Sequence, residues 1–281
     1  MATASLLRSI GLLIAVVTLI LTLNATPPLL SLLSDAIPGT PAMVANRIGL
    51  QDEAQVDTTV ADKAAPAVVL INAYSDVPVY RFRSRGDLSR PAARPEQVGT
   101  VRRRVSMGSG FFITPDGYLL TNRHVVSRAT SEYRVSVTGR TEVPARVVYR
   151  DARYDLAILK VDGEGYPVVK LGDASRLEVG ERVVAIGNAF GRWIDSVSGG
   201  TVSAVNQRIV VGERGRAAER LEGLIQTSAP LYPGDSGGPL LNSAGEVVGV
   251  NVATALGASV SYAIPANTAR AVIERAGIRV L

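Results

Sequence analysis

The chain contains no cysteine. Disulfide stabilisation is therefore excluded and any core must be held by packing, although exported proteins also do without the bond, so the compartment stays open. Histidine occurs once, and aromatic residues make up 5% of the 281 positions. A single histidine leaves one candidate for an imidazole base. The formal net charge of +5 is modest for this length and does not point to nucleic acid as a partner. Length alone allows one or two domains.

What is present is concentrated in three places. The segment Gly234-Asp235-Ser236-Gly237-Gly238-Pro239 holds a serine between glycines, His124 sits in Thr121-Asn122-Arg123-His124-Val125-Val126, and Asp155 opens an apolar run, Leu156-Ala157-Ile158-Leu159. A serine hydroxyl is a poor nucleophile until a base takes its proton, and the base works best when a buried carboxylate sets its tautomer and stabilises the imidazolium. The chain order His, Asp, Ser is the order of chymotrypsin-type triads. His124, Asp155 and Ser236 are thus the candidate catalytic residues of a serine peptidase. A glycine two residues before the serine can turn the backbone so that the N–H groups of Gly234 and Ser236 aim at one point. Donors preorganised for an oxyanion in this way are worth about 3–4 kcal/mol of barrier each. The run Gly110–Ile113, the turn Pro115-Asp116-Gly117 and the run Tyr118–Thr121 form a hairpin that delivers His124 at a strand end. Asp155 enters a buried stretch, where a carboxylate needs a partner such as an imidazole N–H.

Two other classes compete. A serine esterase of the α/β-hydrolase type needs Gly-x-Ser-x-Gly and a histidine after the serine, whereas here the histidine comes first. A non-catalytic, membrane-tethered scaffold or sensor on a protease fold normally lacks a triad member, and all three are present.

The chain resembles the protease domain of the HtrA/Deg family, trypsin-like serine peptidases of envelope protein quality control. The stretches that carry the resemblance are Gly108–Ile113, Leu120–Val126, Tyr154–Lys160, Val179–Asn188, Leu224–Thr227, Gly245–Asn251 and Tyr262–Pro265, in family order. The resemblance implies an all-β fold of two six-stranded antiparallel β-barrels of the trypsin-like type. The first covers about 58–172 and the second about 173–265, with a C-terminal helix over about 266–276 closed by Gly277, inside a protease domain of 58–281. It also implies polypeptide substrates, no cofactor or metal, and self-association as a trimer. Pro230, Leu231, Tyr232, Asn251, Val252 and Ala253 would line the substrate pocket. With Pro230 where a basic-residue-selecting enzyme places an acid, small or medium aliphatic side chains are expected there. Two departures stand out. The family usually has asparagine before the serine where this chain has Asp235, a side chain expected to point away from the pocket. The few residues after the C-terminal helix leave no room for a PDZ domain, so control is expected from loops around the cleft (188–198, 206–222 and 75–107), self-association or a partner chain.

The first 36 residues read separately. The apolar run Ile10–Leu23 follows Arg8; extended back to Leu6, the segment Leu6–Leu23 is long enough to span a bilayer, and no basic residue comes after it until Arg47. A signal anchor with the protease domain outside the cytoplasm is expected, a cleaved signal peptide of a secreted or periplasmic protein being the alternative. Residues 37–57 read as a linker and Thr58–Ala65 as a short helix. Many short strands follow, interrupted by 75–107, an arginine-rich stretch read as a long solvated loop or as a surface for anionic lipid or acidic partners.

Overall fold

The computed structural model describes residues 50–81, 95–137, 142–187, 196–211, 219–252 and 260–280. The candidate membrane segment Leu6–Leu23, the stretch 188–195 and Ala253 lie outside them. Among the described residues no helix is long and apolar enough to cross a membrane. Residues from Val56 to Leu281 form one compact unit.

Helix α1 (Leu50–Ala64) leads into twelve strands. The first six are β1 (Val68–Arg81), β2 (Glu96–Phe112), β3 (Tyr118–Asn122), β4 (Glu132–Ser136), β5 (Val143–Asp151) and β6 (Leu156–Val161). They close a barrel in the order β1-β2-β3-β6-β5-β4, β4 returning to pair with β1. The next six are β7 (Arg182–Gly187), β8 (Ser196–Val211), β9 (Glu219–Thr227), β10 (Pro239–Asn242), β11 (Val247–Val252) and β12 (Ser261–Pro265). They close a second barrel, β10-β11-β12-β9-β8-β7, and every strand pair in both barrels is antiparallel. The two six-stranded barrels expected from the resemblance are present, as is the C-terminal helix α2 (Ala266–Arg275). Gly277 ends it at φ +74°, with Ile278 N–H donating to Ile273 O at 3.2 Å.

The apolar runs have no clean alternation because both faces of these strands are covered. On β6, Ala157, Leu159 and Val161 fill the first barrel while Leu156 and Ile158 join a core shared between the barrels. On β7, Val183 and Ala185 fill the second barrel while Val184 and Ile186 join the same shared core. Val60, Ala61 and Ala64 of α1 are buried in it too. The Arg182 guanidinium meets the Asp57 carboxylate through Nε and a terminal nitrogen, tying α1 to the second barrel.

Three expectations are corrected. The linker read over 37–57 ends earlier, because α1 is helical from Leu50 and its small residues pack into the core. The arginine-rich stretch 75–107 is a paired ribbon over 75–81 and 96–107 rather than a loop, residues 82–94 lying outside the described ones. The registers Val77↔Val101, Asp76↔Arg102 and Arg81↔Glu96 supply the cross-strand contacts that hold it. Of residues 206–222, read as mobile, 206–211 and 219–222 are strand, Ile209↔Leu221 and Val211↔Glu219 pairing and Arg208 Nε lying 2.8 Å from Glu222, while 212–218, with Gly212 and Gly215, lie outside the described residues.

Candidate active site

β3 ends at Asn122, and His124 starts a single 3₁₀ turn whose Val125 and Val126 are buried. Burying those two valines leaves the His124 side chain 41% exposed. Asp155 arrives from the β5–β6 turn. There Asp151 Oδ1 accepts the N–H groups of Arg153 (2.9 Å) and Tyr154 (3.0 Å), which shapes the backbone just before Asp155. Asp155 itself has φ +53°, a left-handed conformation that aspartate tolerates better than most side chains. Its carbonyl accepts from Arg123 N–H at 2.9 Å and Asn122 Nδ2 at 3.2 Å. Its carboxylate, 3% exposed, accepts the His124 backbone N–H on Oδ1 (2.9 Å) and faces His124 Nδ1 with Oδ2 (2.7 Å). An ionised carboxylate only accepts, so Nδ1 carries the proton and Nε2 is left with its lone pair.

Ser236 comes from the second barrel, in the turn before β10, and is 8% exposed. Ser109 on β2 reaches across to hold that turn, donating its N–H to Ser236 O (2.8 Å) and its Oγ–H to Gly234 O (2.6 Å). Gly237, at φ +88°, packs so tightly that a Cβ would overlap Ser109 O and Thr121 Oγ1 and stand 3.0 Å from Asn122 N. The residue after the serine is thus pressed on the strand end that delivers His124. Gly237 N–H also donates to Asn251 O (2.9 Å) and Asn251 N–H to Gly238 O (2.8 Å). His124 and Asp155 are paired, and the turn that carries Ser236 packs on the strand end next to them.

Pro233 and Gly234 are the central pair of a turn closed by Asp235 N–H to Tyr232 O (2.9 Å). With Gly234 at φ +108° this is a type II turn. No backbone acceptor among the described residues takes the Gly234 N–H. The Asp235 carboxylate packs against Gly187 at the end of β7, where Ser196 Oγ donates to Oδ1 (2.5 Å) and Tyr232 N–H to Oδ2 (2.8 Å). Burial pushes this carboxyl above the ordinary aspartate value of 3.8, the two hydrogen bonds opposing it. The native state therefore holds its proton to higher pH than the unfolded chain does. Stability should fall as pH rises from about 4 through the native titration. Asp235→Asn removes this term. Its melting temperature should rise relative to wild type as pH goes from acid to neutral, and a difference independent of pH would contradict the assignment.

Of the expected pocket residues, Pro230 and Tyr232 are exposed, Leu231 packs on the second-barrel core, and Val252 is buried on β11. Asn251 is fully buried, its amide donating to Ile186 O (3.3 Å) and Pro239 O (3.1 Å), so it braces β7 and β10. Sequence reasoning assigned no role to Ser109, Thr121 or Ser196, which hold the serine turn. The one available signal was Gly108-Ser109-Gly110, small residues on a strand where close backbone approach is needed.

Two closed antiparallel barrels, with a hydrogen-bonded His–Asp pair from one and a glycine-flanked serine turn from the other, define a two-barrel serine peptidase architecture. The trypsin-like peptidase domain family matches residues 108–250, and the chain belongs to it. A probable periplasmic serine endoprotease, DegP-like, from Pseudomonas fluorescens is 38% identical over 232 residues, covering 75% of this chain and 47% of the relative. Its counterpart in Pseudomonas putida is 40% identical with the same coverage. The chain spans about half the length of these relatives. The solved HtrA-type protease AlgW with a decapeptide superposes with a TM-score of 0.60 at 29% identity, covering 78% of this chain and 67% of that one. The HtrA/Deg resemblance is borne out.

Proposed function

We propose that this chain is a serine endopeptidase acting on unfolded or damaged exported polypeptides. The observation that carries the reading is the His124–Asp155 pair: one carboxylate holds both the ring Nδ1 (2.7 Å) and the backbone N–H (2.9 Å) of the chain's only histidine, beside the Ser236 turn. In the proposed mechanism His124 Nε2 takes the Ser236 hydroxyl proton as Oγ attacks the peptide carbonyl. The N–H groups of Gly234 and Ser236 receive the oxyanion, and Asp155 stabilises the imidazolium. Nε2 then returns the proton to the departing amine, and water hydrolyses the acyl-enzyme by the same route. A periplasmic or envelope location follows the names of the relatives. Tethering through Leu6–Leu23, with the catalytic domain outside the cytoplasm, and trimer formation are parts of the same proposal.

The test is labelling with a fluorophosphonate alongside casein digestion. The expected result is a single adduct, mapped by mass spectrometry to Ser236, whose formation stops casein cleavage. A competent fold with no adduct at Ser236 would favour the scaffold reading instead.

A further inference from the structure

We propose that the basic β1–β2 ribbon binds the leaving-group side of the substrate, as an extended acidic segment that adds to the free edge of β2. The proposal rests on the endopeptidase reading and states what that site selects. β2 pairs with β1 from Glu96 to Phe111, but its other side meets β3 only at Phe111 and Phe112. Among the described residues no strand covers that edge from Glu96 to Gly110.

The open edge leads out of the active site. Ser109 directs its N–H along it to Ser236 O, and a Cβ on Gly108 would stand 2.6 Å from Val125 Cγ2 and 3.2 Å from Ser236 O. Backbone groups two residues apart on a strand point the same way, so Met107 presents the next outward pair. Past the register shift beside Ala73 and Tyr74, the edge runs on through Arg104, Arg103 and Arg102. Since the proposed pocket for the acyl side belongs to the second barrel, the chain beyond the scissile bond leaves across the first, over Gly108 and Met107. From Met107 to Arg102 the edge offers about 20 Å of pairing.

The chemistry of the ribbon names the occupant. Arg81, Arg102, Arg103 and Arg104 face only Asp76 and Glu96 on the two strands, and all of these residues are exposed. Arg102 shares Glu132 with Arg134, Arg104 reaches Asn72 Oδ1 at 3.4 Å, and no carboxylate among the described residues pairs with Arg103. Val77 and Val101 lie opposite each other beside the Arg103 position, Val101 38% exposed. A two-stranded ribbon is marginal in water, and a third strand completes it. Carboxylates on that strand would meet the arginines as cross-strand pairs. A lipid surface offers charge but no backbone groups to pair with the edge, which favours polypeptide.

The experiment uses the full chain and quenched peptides that share one acyl-side sequence and carry Glu, Gln or Lys at the third to sixth leaving-group positions. The Glu peptide should have a kcat/KM about five- to twentyfold above the Gln peptide, and the Lys peptide should fall below it. The preference should shrink between 50 mM and 500 mM salt, conditions that separate weak from strong screening. Arg103→Glu with Arg104→Glu should invert the order while leaving the Gln peptide unchanged. N-methylation of the Glu peptide at successive leaving-group residues should weaken it with a period of two. Affinities of the same peptides for Ser236→Ala protein decide the proposal even if no peptide is cleaved, a result that would count against the endopeptidase reading alone. Equal handling of all three peptides overturns the proposal. So does binding of phosphatidylglycerol vesicles that is lost in the Arg103/Arg104 variant while the peptides are treated alike.

Discussion

Ser236→Ala is expected to lower kcat for casein-derived peptides by roughly 10⁴–10⁶-fold while leaving the fold in place. The loss is large because removing the hydroxyl removes the covalent route, leaving only the backbone donors and substrate binding. The fold should survive because what anchors position 236 is its main chain: Ser109 N–H on Ser236 O at 2.8 Å, with Gly237 and Gly238 tied to Asn251. A hydroxyl lost from such a position changes stability by about 1 kcal/mol. KM should therefore stay within a few-fold and the unfolding midpoint should move little. His124→Ala should cost a similar amount, and the double variant should be no worse than either single one, because the residues act as a unit. Stopped assays on the three proteins, with denaturant melts on the same samples, check this. Hydrolysis by Ser236→Ala at anything near the wild-type rate would remove Ser236 from the chemistry.

The three residues at stake were legible in the sequence for a specific reason. A lone histidine removes the ambiguity about the base, and glycines on both sides of a serine make a turn that few structural roles require. The frame that holds them was not legible. Ser109 binds residues 236 and 234, and Gly237 presses on Thr121 and Asn122, contacts that span more than a hundred positions. Nothing local to Ser109 announces a partner so far away. Strand lengths were misread for a related reason. Leu156–Val161 is a short apolar run between Asp155 and Asp162 and forms a strand of that length, whereas β1 continues to Arg81 through residues whose composition suits a loop. There the partner strand decides: Arg81 and Asp76 are strand residues because Glu96 and Arg102 lie opposite. The same holds for Val210 and Val211, which pair with Arg220 and Glu219.

Asp155→Asn is expected to be nearly as damaging as losing the serine, although it changes only one atom in kind. The wild-type carboxylate offers two acceptor oxygens, and both face donors: Oδ1 the His124 backbone N–H at 2.9 Å, Oδ2 the ring Nδ1 at 2.7 Å. Asparagine replaces one acceptor by an NH₂ group. The backbone donor cannot change, so the amide oxygen stays there and the NH₂ turns to the ring. Nδ1 must then accept, which moves the imidazole proton to Nε2, where it blocks removal of the Ser236 proton. Loss of the negative charge also leaves the imidazolium of the transition state unsupported. The drop in kcat should be about ten-thousand-fold, with KM little changed. Asparagine adopts the left-handed backbone at φ +53° as readily as aspartate, so the β5–β6 turn has no reason to rearrange. Because the chain has one histidine, ¹⁵N spectra of histidine-labelled protein report this ring alone. They should show the proton on Nδ1 in wild type and on Nε2 in the variant. Activity within tenfold of wild type, or an unchanged tautomer, would mean that Asp155 does not set the state of His124.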